Sequence, residues 1–185
     1  PVSDPSWTII QEIRLPRVLL AIIVGVGLAG AGAVLQGILR NPLADPFILG
    51  TSSAAAAGVI LAGVLGFQHY SALYFMSLSF ALLSIFVVYR IAQFNGKTPV
   101  QTLILAGVIV NLFFNAAVFL CFSIFFRESY TVLFYLLGTL TEGDWGLIGI
   151  SGTIILFGLV FTWLFSRELN ILTQGEATAF HLGVN

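Results

Sequence analysis

The side chains that could carry out acid–base, nucleophilic or metal chemistry are few in this sequence and lie apart. The two histidines, His69 and His181, fall at the edges of apolar segments, and the acids lie in polar links or near the chain ends. An intramembrane enzyme would need paired acids, a histidine–glutamate cluster or a serine–histidine set at membrane depth. The single cysteine, Cys121, excludes an internal disulfide or multi-cysteine metal site and suits a small buried hydrophobe. We therefore expect no catalytic residues and no bound metal or cofactor.

One motif has the letters of a nucleotide site. Residues 25–30 read Gly-Val-Gly-Leu-Ala-Gly, which matches G-x-G-x-x-G. A dinucleotide site would need a strand before this motif and an acidic residue after it, in a soluble βαβ unit. Here the motif lies midway along an apolar segment, so its glycines are predicted to serve helix packing. The sequence also has no G-x-x-x-x-G-K-[ST] phosphate loop, so we expect any ATP hydrolysis to belong to another subunit.

The composition is that of an integral membrane protein. Hydrophobic residues make up 58% of the chain, charged residues only 8%, and the mean hydropathy is +1.04. Soluble domains carry about 25% charged residues. A net charge of −1 gives no basic surface for nucleic acid.

Uncharged segments of the length needed to cross a bilayer, about 20 residues, recur along the chain. The fourth has 29 residues and must tilt, bend or project beyond the bilayer. Residues 131–140 are too few to cross and predict a short surface or re-entrant helix. The tail, 169–185, predicts a short amphipathic helix with Ala177, Phe180 and Leu182 as its apolar residues. The expected fold is an all-α membrane helix bundle forming one domain, 1–185, with five crossings at 18–39, 46–68, 70–89, 98–126 and 146–165.

The first two predicted spans are joined by a polar turn. Arg40 is expected to close the first helix, and Pro42 keeps Asn41 out of the helical region. Asp45 would then cap a second helix that begins at Pro46. We therefore predict a helical hairpin.

Small residues recur every four positions along both helices of this hairpin, which lets helices pack closely in a membrane. They are Ala21, Gly25, Ala29, Ala33 and Gly37 in the first span, and Ala54, Gly58, Ala62 and Gly66 in the second.

Gly107, Asn111 and Asn115 are spaced by four in the fourth span and share one face. Amides are costly against lipid, so this face should meet protein or a watery cavity. Hydrogen bonding between helices is the favoured interpretation, and contact with a transported solute is the alternative.

The distribution of positive charges weakly favours one orientation of the chain in the membrane. With the tail in the cytoplasm, four cationic residues lie inside and Arg14, Arg17 and Arg127 lie outside.

Several motifs together resemble the FecCD-type permeases, the membrane subunits of ABC importers for iron–siderophore complexes, haem and cobalamin. They run in order through the chain: Arg14-Leu15-Pro16-Arg17, Leu35-Gln36-Gly37, Arg40-Asn41-Pro42-Leu43-Ala44-Asp45-Pro46, Leu49-Gly50-Thr51-Ser52-Ser53, Leu105-Ala106-Gly107, Leu169-Asn170-Ile171-Leu172, Gly175-Glu176 and Leu182-Gly183-Val184.

The resemblance implies a subunit of about ten spans in a bacterial or archaeal cytoplasmic membrane. It also implies a second permease subunit, an extracytoplasmic binding protein, and two cytoplasmic ATPases that hold ATP and magnesium. The chain corresponds to the second to sixth spans, so a fragment is expected.

The resemblance also implies roles for individual residues. Arg14 and Arg17 match arginines that dock the binding protein, although ordinary flanking of a span is the alternative. Val100 and Gln101 fall at the inner gate, where the family often has small hydroxylated residues. A tail helix could instead lie on the membrane, but the motif favours ATPase coupling by Leu172, Gly175, Glu176, Ala177, Leu182 and Gly183.

The implied function is import of a metal chelate by ATP-driven alternating access. A ferric siderophore is the expected cargo, with haem or cobalamin as alternatives. A different class, the ion-coupled secondary transporter, would need an ionisable residue or a broken helix at mid-membrane. None is visible in the five predicted spans.

Overall fold

The computed structural model describes residues 5–67, 69–94, 96, 98–125, 138, 140 and 144–183. Within these residues, the chain is helical and the helices are joined by short links. Four helical stretches, Ser6–Leu39, Tyr70–Ala92, Val100–Phe125 and Trp145–Leu164, are long and apolar enough to cross a membrane. The all-α membrane fold is therefore confirmed. In chain order, the elements are α1 (Pro5–Ile9), a π-helical turn (Ile10–Arg14), α2 (Leu15–Leu39), α3 (Thr51–Val64), α4 (Tyr70–Ala92), α5 (Val100–Phe125), α6 (Trp145–Leu164), α7 (Ser166–Leu172) and α8 (Glu176–His181).

The chain divides into two compact units. Unit 1 comprises residues 1–46 and 140–185, and unit 2 comprises residues 47–139. In unit 1, α2 packs against α6 and α7, and α7 packs against α8. In unit 2, α3 packs against both α4 and α5, which also contact each other.

The first, third, fourth and fifth predicted spans correspond to α2, α4, α5 and α6, with ends that agree within three residues. The predicted short helix at 131–140 lies outside the described residues apart from Gly138 and Leu140, and stays a prediction.

The prediction of a second span over 46–68 is wrong in its extent. Helix α3 has only 14 residues, so it is about 21 Å long, against a hydrocarbon core of about 30 Å. The helix does not begin at Pro46. Residues 47–50 form a turn in which the Gly50 N–H donates to the Phe47 carbonyl at 2.8 Å, and Gly50 has φ +73°. That left-handed conformation, which glycine tolerates, delays the helix until Thr51.

The small-residue stripe on α3 packs as predicted at three of its four positions. Ala54 and Ala62 are fully buried. A Cβ atom on Gly58 would lie 2.6 Å from the Met76 carbonyl oxygen, so the backbones of α3 and α4 touch there. Gly66 is exposed and lies beyond the helix end.

Of the stripe predicted on α2, only Gly37 packs within unit 1, where a Cβ would lie 3.2 Å from Thr173 Cγ2. Ala21, Gly25, Ala29 and Ala33 are exposed, whereas helix α6 packs against Gly27 and Gly30. Cβ atoms there would lie 3.0 Å from Ile155 Cδ1 and 2.6 Å from Leu159 Cδ2, respectively. Glycine and alanine occur all around α2, so four-residue spacing alone could not select the contacting face. Within the G-x-G-x-x-G motif, Gly27 and Gly30 pack as predicted, whereas a Cβ on Gly25 would meet nothing within 4 Å in this chain.

Candidate functional site

Residues that the family resemblance assigned to different partners lie at opposite ends of α2. Arg14 ends the π-helical turn just before α2, Arg17 lies in the first turn of α2, and both are exposed. At the other end, the Arg40 guanidinium nitrogen Nη1 lies 3.2 Å from where a Cβ of Gly175 would be. Because α2 has 25 residues, about 37 Å of helix separates the two sites.

The tail is built as two short helices with a tight link. Thr173 N–H donates to the Leu169 carbonyl at 3.2 Å, and Gly175 N–H donates to the Leu172 carbonyl at 3.1 Å, which ends α7. Gly175 then has φ +114° and ψ 152°, a conformation that is essentially restricted to glycine. The chain therefore turns sharply into α8 at Gly175.

The predicted short helix in the tail corresponds to α8, and its described apolar residues divide between a buried and an exposed side. Ala179 is buried at 1% exposure, whereas Phe180 is 69% exposed and Leu182 is 59% exposed. The side chains of Glu176 and Ala177 lie outside the described residues, and Gly183 follows the helix with φ +80°. Within the described part of the chain, the tail thus presents apolar side chains that unit 1 itself does not cover.

The polar turn after α2 is closed by its own hydrogen bonds. Arg40 caps α2 in the left-handed region, with φ +50°, as the predicted end of the helix requires. The Asn41 side chain accepts from the Leu43 N–H at 3.0 Å, and the Asn41 carbonyl accepts from the Ala44 N–H at 3.0 Å. Gln36, which the turn prediction missed, donates from Nε2 to the Ala44 carbonyl at 3.3 Å. A polar residue inside an otherwise apolar span is unusual, and this could have identified Gln36 as a partner of the turn.

The remaining members of the turn have different surroundings. Pro42 and Asp45 are exposed. Pro46 lies against α2, because a Cβ on Gly32 would be 3.8 Å from Pro46 Cδ. The predicted capping of a helix by Asp45 is wrong, because α3 starts only at Thr51.

The predicted polar face of α5 contains a buried packing contact at Gly107 and a polar pair, Asn111 and Asn115. Asn115 Nδ2 donates to Asn111 Oδ1 at 2.8 Å, so the two amides are joined by a hydrogen bond within one helix. Gly107 is buried, and a Cβ there would collide with the Ile48 carbonyl oxygen. Asn115 is the exposed member. Its contact with a solute stays a prediction.

A residue that the sequence reasoning missed holds the turn before α3. Ser84 of α4 is fully buried, and its hydroxyl donates to the Leu49 carbonyl at 2.7 Å. The predicted gate residues lie in the first turn of α5, where Val100 is half-buried and Gln101 is exposed.

Groups that could hold a metal are absent from the described residues, where no three or more His, Cys, Asp or Glu side chains come together. Cys121 is half-buried and lines an apolar pocket of about 190 Å³ in unit 2, beside Phe114 and Val118. Its surroundings fit the predicted hydrophobic role.

Comparison with known proteins identifies the family. The model of the FecCD transport family matches residues 2–185. The cobalamin import system permease protein of Halobacterium salinarum is 38% identical over 100% of this chain and 50% of its own length. The hemin transport system permease protein of Yersinia pestis is 35% identical over 99% of this chain and 56% of its own length. The chain therefore spans about half the length of these curated relatives.

A solved structure gives the same result for the fold. It is described as an inward-facing conformation and assigned to the metal-chelate type of ABC transporter, and it is 33% identical with a TM-score of 0.86. The match covers 97% of this chain and 58% of the other. Because the sequence motifs, the family match and the fold agree over almost every residue, this chain belongs to the FecCD transport family.

Proposed function

We propose that the chain is part of the transmembrane subunit of a binding-protein-dependent ABC importer, which moves a metal chelate into the cytoplasm by ATP-driven alternating access. The names of the relatives support this class, since they concern cobalamin and hemin. The observation that carries the proposal is the separation of Arg14 and Arg17 from Gly175 by the length of α2. An importer needs one end for cargo delivery and the other for the energy source.

The chemistry of the two ends fits this division. The exposed guanidinium groups of Arg14 and Arg17 would attract acidic side chains of an extracytoplasmic binding protein. At the opposite end, Phe180 and Leu182 project from the tail and would enter an apolar groove on a cytoplasmic ATPase. The complex would contain two such ATPases, which bind ATP and magnesium, and a second permease subunit in a bacterial or archaeal cytoplasmic membrane.

The cargo that we propose to test first is a ferric siderophore, with haem and cobalamin as the alternatives. A bulky chelate requires a wide passage with weak contacts. One exposed side of α5 has this character, because it places the Asn115 amide one turn from Phe119 and carries no charge.

The test is reconstitution of the full-length permease in proteoliposomes with its ATPase and binding protein. Uptake of radiolabelled ferric siderophore, haem and cobalamin is measured with ATP, without ATP, and with a proton ionophore. We expect uptake of one chelate that requires ATP and binding protein and is insensitive to the ionophore. Uptake that the ionophore abolishes and that needs no ATP would instead establish a secondary transporter.

A further inference from the structure

We infer that Arg40 is a positioning residue that fastens the tail to the end of α2, so that the tail and α2 move as one body. The contact surface, which we call the α2–tail joint, consists of Gly37, Arg40, Thr173 and Gly175. The inference rests on the proposed function, because it concerns how motion of the tail reaches the membrane helices.

The joint is formed by two close approaches between residues far apart in the sequence. A Cβ on Gly37 would lie 3.2 Å from Thr173 Cγ2, and a Cβ on Gly175 would lie 3.2 Å from Arg40 Nη1. Gly175 is buried. Small residues at such positions let two segments come together without intervening side chains. The last turn of α2 therefore lies directly on the link between α7 and α8.

The charge of Arg40 lies close to several helix ends. Helix α2 ends at Leu39 and helix α7 ends at Leu172, three residues before Gly175. The carboxyl ends of helices carry negative partial charge, which a nearby cation stabilises. Within unit 1, Arg40 follows α2 directly and can act on its carboxyl end. Gly175, beside the guanidinium, follows the carboxyl end of α7 and also precedes the amino end of α8, so the second experiment below measures the net effect of the charge on the tail.

The backbone of Arg40 supports a role for its side chain. Among the described non-glycine residues, Arg40 alone has a positive φ, +50°. Glycine or asparagine would adopt that conformation at lower cost. The occurrence of a long cationic residue at this position motivates the hypothesis that its side chain has a role.

The first experiment measures whether the joint stays closed. Gly37→Cys and Thr173→Cys are introduced together in the full-length permease, with Cys121→Ser and any other cysteine removed, and the complete complex is oxidised in the resting and ATP-trapped states. Since the two positions are in contact, we expect a disulfide. We expect equal yields in both states, and ATP-dependent uptake within about twofold of the reduced complex, a margin set by the normal scatter of mutational effects.

Three results would overturn the inference: no disulfide in either state, a disulfide in only one state, or a disulfide that stops uptake until reductant is added. The cross-linking yield requires no transport. A complex that takes up no chelate would therefore contradict the proposed function, while the yield would still report on the joint.

The second experiment tests the charge, using Arg40→Gln and Arg40→Lys, both of which keep a long side chain at the left-handed position. The readout is chelate taken up per ATP hydrolysed, which a uniform loss of folded protein would not change. We expect Arg40→Gln to lower this ratio about two- to fivefold, the size of one charge at a helix end, and Arg40→Lys to restore it.

The matched control is Arg90→Gln, which removes a cation from the last turn of α4 in unit 2. We expect it to leave the ratio unchanged. The assignment to Arg40 would be overturned by an unchanged ratio in Arg40→Gln, by an equal fall in the control, or by a fall that Arg40→Lys shares.

Discussion

The hydroxyl of Ser84 donates a 2.7 Å hydrogen bond to the carbonyl oxygen of Leu49, which joins the middle of α4 to the turn before α3. The Leu49 carbonyl precedes α3, and the first carbonyl that accepts a backbone N–H of this helix is that of Gly50, from Ala54 at 3.0 Å. In a membrane protein, such irregular backbone is tolerated where protein groups satisfy it. Ser84 therefore replaces the hydrogen bond that a longer α3 would have supplied.

Replacing this serine should be costly. We expect Ser84→Ala to lower the free energy of unfolding by about 1–3 kcal/mol, because it leaves a buried carbonyl without a donor. The matched control is Ser79→Ala, also on α4, whose hydroxyl donates to the Phe75 carbonyl of its own helix at 2.7 Å. Thermal unfolding of the purified full-length permease in detergent measures both, and equal shifts would contradict the assignment.

The contact of Gly107 with the turn before α3 predicts a steric effect. A Cβ at this position would overlap the Ile48 carbonyl oxygen and lie 3.2 Å from its carbon. Because both groups are backbone, we expect Gly107→Ala to destabilise the protein by about 1–3 kcal/mol. Gly158→Ala on α6, where a Cβ meets nothing within 4 Å in this chain, is the control and should be neutral or slightly stabilising. A stable Gly107→Ala protein with an unshifted melting temperature would refute the close contact.

The backbone at Gly175 predicts sensitivity in the tail. Its φ of +114° with ψ 152° excludes a side chain without strain of about 1–3 kcal/mol. We expect Gly175→Ala to reduce ATP-dependent uptake more than Gly183→Ala, since Gly183 has φ +80° and open space around it. Uptake is normalised to the amount of permease in the membrane, and a larger effect at Gly183 would argue against the special role of Gly175.

The proposed docking end predicts a salt-sensitive change in affinity. Reversing both charges, in Arg14→Glu with Arg17→Glu, should weaken binding of the extracytoplasmic protein by roughly tenfold or more at low ionic strength, with a smaller difference at high salt. The control is Arg167→Glu, which reverses a cation just after the carboxyl end of α6, away from Arg14 and Arg17. This variant should bind the extracytoplasmic protein with unchanged affinity. Surface plasmon resonance at two salt concentrations distinguishes these outcomes, and unchanged binding of the double variant would remove the docking assignment.

The long membrane helices could be predicted from the sequence because their signal is local. An uncharged run of about 20 residues has few alternatives to a membrane helix. The start of α3 could not be predicted in this way. Its position depends on Ser84 and Gly107, which lie 35 and 58 residues beyond Leu49 in the sequence and satisfy or contact the turn only in the folded state.

The candidate site shows the same division. The motif that contains Arg40 marked the turn, but its proximity to Gly175 arises from the packing of α7 on α2 and has no sequence signature. Likewise, the spacing of Asn111 and Asn115 indicated a shared face, yet it could not show that the Asn115 amide would donate to the Asn111 oxygen. Contacts between distant segments had to come from the structure.

The backbone contact at Gly58 leaves no adjustable layer between α3 and α4. Ordinary helix interfaces contain side chains that can change rotamer, and these act as a compliant layer. Between α3 and α4 at Gly58 no such layer exists, because the Met76 carbonyl lies where a side chain would begin. A displacement of either helix towards the other at this level therefore meets backbone directly, with no side chain between them that could change rotamer.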